Sequence, residues 1–116
     1  MNKNINPIGI MQGRLSKPIN GMIQAFPKDN WRKEFKIASE IGFDCMEIIF
    51  DGPSNPLFHS DGALEIKELS ENAKINISSI SNDYSMYSPL FGDTKKESLK
   101  TILTLVERCS SIGIPR

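Results

Sequence analysis

An α/β fold built from consecutive parallel strand and helix units is what this sequence predicts, and three observations carry it. Apolar strand patterns centred near Met11, Ile48 and Ser79 alternate with amphipathic helical patterns, and a further apolar start falls at Ile114. The steps between these centres are 37, 31 and 35 residues, each enough for one strand, one helix and two short loops. Strands that alternate with helices in this way argue for βαβ units with right-handed crossovers. No short motif recurs at that period, which sets a solenoid aside. The expected architecture is one α/β sheet or barrel, within a single domain spanning residues 1–116. A closed eight-stranded barrel takes about 250 residues, so the expectation is three units and the start of a fourth. A small doubly wound sheet would just fit the same length.

The first strand is expected over residues 8–15, followed by a loop from Ser16 to Asp29 that holds Pro18, Gly21 and Pro27. Ordinary strand-to-helix loops run about 2 to 6 residues, so this one reads as a working loop. Asp29 or Asn30 then caps a helix whose apolar residues Trp31, Phe35, Ala38 and Ile41 follow helical spacing, and Gly42 ends it in a left-handed conformation. The second strand, Cys45–Phe50, is apolar on both faces except at Glu47, as a strand covered on two sides would be. A turn-rich stretch from Asp51 to Pro56 leads to a second helix, Ser60–Ala73, with Ala63, Ile66, Leu69 and Ala73 on one stripe. The third strand, residues 75–81, is more polar and runs into a loop reaching Gly92. Thr94 and Glu97 then form a capping box for a last helix with Leu99, Ile102, Leu103, Val106 and Cys109 as its core stripe and Gly113 as its stop.

Composition sets exclusions. Apolar residues make up 39% of the chain and 14 basic side chains balance 14 acidic ones, so a core can form while the electrostatic footprint of a nucleic-acid or anionic-membrane binder is missing. The start of the sequence lacks the apolar stretch of a signal peptide, and no run approaches the roughly 18 apolar residues of a membrane span, which makes cytoplasmic the expected location. Cys45 and Cys109 are 64 residues apart and read as buried free thiols.

In parallel α/β architectures ligands bind at the carboxyl ends of the strands. The residues there are Gln12 and Arg14, Glu47 and Asp51, and Ser81 to Asp83. Glu47 either holds substrate hydroxyls or a basic partner, or forms a structural ion pair with Arg14 on the neighbouring strand; left unpaired and buried it would cost several kcal/mol. Arg14 could give a bidentate bond to a carboxylate or phosphate, or serve structure alone. Asp51 and Asp83 stand at turn starts, where aspartate commonly caps its own backbone. His59, the single histidine, reads as a surface or capping residue. Neither of the glycine-rich phosphate-binding motifs occurs.

The runs Ile8-Gly9-Ile10-Met11-Gln12-Gly13-Arg14-Leu15-Ser16, Gln24-Ala25-Phe26-Pro27, Trp31, Glu34-Phe35, Ala38 and Ile41-Gly42-Phe43-Asp44-Cys45-Met46-Glu47 resemble the opening of the sugar phosphate isomerase/epimerase family, within the xylose isomerase-like barrel superfamily. The match is distinctive from Ile8 to Asp51 and lies at the level of pattern beyond. The resemblance implies a (β/α)8 barrel that moves a proton next to a sugar carbonyl. It implies a divalent metal (manganese, magnesium, cobalt or zinc) that polarises substrate oxygens beside a proton-shuttling glutamate pair. The metal ligands of the superfamily come from later strands, so no catalytic or metal-binding residue carries over. Gln12, Arg14 and Glu47 carry over as substrate-wall residues. At Asn82-Asp83-Tyr84 the chain departs from the histidine many members have nearby.

The expectation is thus the N-terminal part of a metal-dependent isomerase or epimerase, taking a small sugar or sugar phosphate, binding no metal by itself and inactive alone. Two alternatives stand beside it. One is an abasic-site endonuclease of the same superfamily, which the balanced charge argues against. The other is a non-catalytic half-barrel module that associates with itself through open sheet edges.

Overall fold

The computed structural model describes residues 6–115. The leader-region reading at residues 1–5, and Arg116, lie outside them. The elements run β1 (Gly9–Met11), α1 (Trp31–Ile41), β2 (Cys45–Phe50), α2 (Ser60–Ala73), β3 (Asn76–Asn82), α3 (Tyr84–Tyr87) and α4 (Lys95–Ser111), with short 3₁₀ turns at Pro56–Phe58 and Gly92–Thr94. The fold is α/β with one open parallel sheet in the order β1-β2-β3. That order never reverses, so right-handed crossovers bring α1 and α2 to the same face. Among the described residues no helix is long and apolar enough to cross a membrane.

The helix-covered face holds the core. Met46, Ile48 and Phe50 of β2 are fully buried with Phe35 and Ala38 of α1 and Ala63 and Ile66 of α2. Each large side chain so buried contributes about 1.5–3 kcal/mol. Phe50 also stacks on Phe58 at 6.1 Å between centroids and meets Tyr84 edge-on at 5.9 Å, tying both following loops to β2. The opposite face carries Cys45, Glu47 and Ser79, all half-buried. β2 and β3 are in register from Glu47 onward with one extra β3 residue, because Met46 pairs with Ile77 but Glu47 with Ser79.

β2 and α2 have the boundaries expected from sequence. β1 is shorter than expected, and the cause is Gln12. Its main-chain N–H still donates to Glu47 O (2.8 Å), but the chain then turns as Arg14 N donates to Met11 O (3.3 Å). The Gln12 side-chain Oε1 accepts from Ile49 N (2.9 Å), the place that a continuing parallel strand would fill with its own carbonyl. Neither Asp29 nor Asn30 caps α1 through its side chain. Pro27 O accepts from Asn30 N (3.0 Å) and Trp31 N (2.8 Å) instead. Gly42 ends α1 at φ +108°, and Phe43 N bonds back to Ala38 O (3.0 Å), a Schellman closure. Ile41, expected in the core, is exposed.

The largest departure is α4. Thr94 forms no capping box; its hydroxyl donates to Pro89 O (2.7 Å). The stripe expected to be core is largely outside, with Leu99, Leu103 and Val106 exposed by 47%, 57% and 58%, while Ser98, Thr101 and Leu105 are buried. The loop after β3 explains the rotation. Ser98 Oγ donates to Ser88 O (2.7 Å) and lies 2.5 Å from Ser88 Oγ, so the helix is docked on hydroxyls. Ser88 and Thr101 beside the Tyr84 phenol hold it below the usual tyrosine range. Cys109 remains half-buried, and desolvation pushes its thiol up to about 11.

Leu103 gives a direct check. Leu103→Lys is expected to change unfolding free energy by no more than about 0.5 kcal/mol, as a surface substitution does. A loss above about 2 kcal/mol in urea denaturation would place Leu103 in a buried environment in solution.

Candidate functional site

The carboxyl ends of the three strands are covered by the β1–α1 loop, which is why Ile49 is fully buried although it lies on the face away from the helices. Glu34 holds that loop in place. It is fully buried on α1 and its carboxylate accepts from Gly13 N (2.7 Å), Leu15 N (3.1 Å) and Ser16 Oγ (2.7 Å). Gly13 sits at φ +95°, with Ala25 O only 2.7 Å from where a Cβ would be, so the turn closes onto the returning limb of its own loop.

From this turn a polar strap runs to β3. Arg14 donates through Nη1 to Ile23 O (2.8 Å) and through Nη2 to Gln24 Oε1 (2.9 Å). Gln24 Nε2 donates to Asp83 Oδ2 (3.1 Å), and Asp83 Oδ1 accepts from Ser81 Oγ (2.8 Å). A cleft of about 230 Å³ lies beneath the strap, between Gln24, Asp51, Asp83 and Tyr87.

The three residues expected to form the substrate wall have separate partners. Arg14 is exposed and engaged with its own loop, so the Arg14–Glu47 ion pair is not formed. Glu47 is half-buried and its Oε2 accepts from Ser79 Oγ at 2.6 Å, a cross-strand pair on the open face. Gln12 is fully buried on the β2 edge, and its Nε2 has no hydrogen-bond partner among the described residues. Asp51 does not cap its own backbone but accepts from Asn55 Nδ2 (3.0 Å). His59 is exposed, its Nε2 2.8 Å from Pro53 O.

Glu34, Gln24 and Asn55 are the residues that the sequence reading did not single out as positioning groups. Asn55 is buried and fully satisfied, giving Nδ2 to Ile49 O (2.9 Å) and taking Leu57 N (3.0 Å), which fixes the end of β2. Glu34 did leave a signal, since it sits one position before Phe35 on the buried face of α1 with no basic residue in that stripe. A carboxylate so placed has to find main-chain donors. Gln24 left none, because its partner is 59 residues away.

Chemically, the strand ends offer carboxylate acceptors for hydroxyl groups together with an amide-braced rim. Among the described residues no three His, Cys, Asp or Glu side chains converge as a metal cage. No family model, curated protein or solved structure matches the chain.

Proposed function

We propose that this chain forms the first three βα units of a (β/α)8 barrel and supplies the substrate-facing wall of a metal-dependent sugar or sugar phosphate isomerase or epimerase. The observation that carries the reading is the polar side chains on the open face of β2 and β3 and at the carboxyl end of β3, in strands that run in unreversed order with the helices on the other face. The sequence resemblance over Ile8 to Asp51 adds the reaction class. In this reading Glu47 and its Ser79 partner face the sugar, while Gln12 and Arg14 hold the wall in shape.

Amide-resolved NMR with a free ketose, D-fructose, tests the wall. The amides of Glu47 and Ser79 are expected to shift while Lys36 on α1 and Lys74, just past the end of α2, stay put. Shifts confined to the outer helices would count against it. The chain alone, loaded with manganese, is expected to convert no ketose; robust turnover would overturn the division of labour between this wall and a metal-bearing part.

A second reading, a non-catalytic module that pairs with another chain, is favoured by the exposed α4 stripe and by the edge of β3 that no described strand covers. Light scattering discriminates: a clean species at 13.0 kDa across concentrations counts against obligate pairing.

A further inference from the structure

Helix α4 carries the spacing of a core helix but turns it outward. Leu99, Leu103 and Val106 recur at steps of four and three residues and are all exposed, so they line up as one continuous apolar stripe. The opposite side of the helix fixes this orientation. Leu105 enters the core, Ser98 Oγ donates to Ser88 O (2.7 Å), and Arg108 Nε donates to Phe58 O (3.1 Å). Turning the stripe inward would break all three contacts, so it is covered, if at all, by a partner.

The charges beside the stripe point to the partner. Lys100 and Glu107 are exposed, lie on the same flank of the stripe, and form no ion pair among the described residues. They stand one turn before and one turn after Leu103. In an antiparallel helix pair with a two-fold axis at Leu103, each flank meets the same flank of the other helix in reverse order. Lys100 then faces the partner's Glu107, Glu107 faces the partner's Lys100, Leu99 lies opposite the partner's Val106, and Leu103 meets its own copy. Charged and apolar positions are thus self-complementary about one axis, as an isologous contact requires. We propose that α4 is the docking face for a second copy of this chain, in an antiparallel helix pair centred on Leu103. This rests on the second reading above and names its partner and its face. A single helix face is small beside the roughly 1,200–2,000 Å² of stable interfaces. The association is therefore weak, and in dilute solution the chain is a monomer with Leu103 in water.

Sedimentation equilibrium of the full chain at low salt, from about 10 μM to about 1 mM, tests this. The mass is expected to rise from 13.0 kDa toward twice that value. Lys100→Glu and Glu107→Lys, both surface changes, are each expected to weaken pairing about tenfold, since each turns two attractive pairs into repulsive ones. An equimolar mixture of these two variants is expected to pair more tightly than either alone, and the double variant Lys100→Glu/Glu107→Lys to regain the wild-type affinity. Leu103→Lys, which sets two lysines against each other at the axis, is expected to abolish pairing. A wild-type dimer indifferent to the single charge reversals, or a double variant that fails to recover, would overturn the inference while leaving the pairing reading intact, because the contact would then lie elsewhere. A mass of 13.0 kDa at every concentration would sink self-association altogether.

Discussion

Glu34→Ala is expected to cost about 3–5 kcal/mol of stability, the range for stripping a buried charged group from its partners. The carboxylate is fully buried, and its three donors come from Gly13, Leu15 and Ser16, up to 21 residues away in sequence. Alanine leaves those donors facing a void, and the turn either keeps them unsatisfied or opens to water. Opening would also release Arg14 and Gln24, which hang from the same turn. Glu34→Gln should fall between wild type and alanine, because one amide oxygen still accepts while the amide nitrogen faces donors. Urea denaturation reads both variants. A loss below about 1 kcal/mol for alanine would mean that the loop is held by something other than this carboxylate.

Gly62→Ala sets two effects of opposite sign against each other. Within a helix, alanine is favoured over glycine by about 1 kcal/mol. Here, however, a Cβ would lie 2.1 Å from Pro56 O and 2.8 Å from Pro56 C, main-chain atoms that a side-chain rotation cannot move aside. Overpacking of this kind costs about 1–3 kcal/mol and more when backbone must shift. Steric overlap is expected to win, with a net loss of about 2 kcal/mol and a lower melting temperature. A stabilised variant would show that the Pro56–Phe58 turn does not press on α2 as described.

The elements that were legible in sequence are those whose own residues decide them. β2 is a run of apolar residues whose alternate members Met46, Ile48 and Phe50 meet the helices, although its other face is open at Glu47 and not covered as expected, and α2 carries its stripe toward the core, so composition and periodicity specify their limits. β1 was overextended because periodicity cannot show that the Gln12 side chain replaces the strand's next carbonyl. α4 was misread for a related reason. Its apolar spacing is regular, yet what it docks on is a hydroxyl cluster from the preceding loop, and Ser98 and Thr101 are the residues that meet it. At the site, the polar strand ends could be found from sequence, since charge stands out in an apolar strand. Their pairings could not, because Glu47 meets Ser79 across 32 residues and Gln24 meets Asp83 across 59.

The extra β3 residue at Ser78 resolves an arithmetic conflict in the sequence. Strand side chains alternate with a period of two, yet Ile77 and Ile80 are three apart. In an unbroken ladder they would point to opposite faces. With Ser78 absorbed as a bulge, Ile77 stands opposite Met46 and Ile80 opposite Ile48, both toward the helices, while Ser79 and Ser81 stand opposite Glu47 and Ile49. Deleting residue 78 would therefore remove the bulge and leave a regular ladder in the same phase. Ile80 would still stand opposite Ile48 toward the helices and Ser79 opposite Glu47, so the facing of everything downstream would survive the loss of that residue.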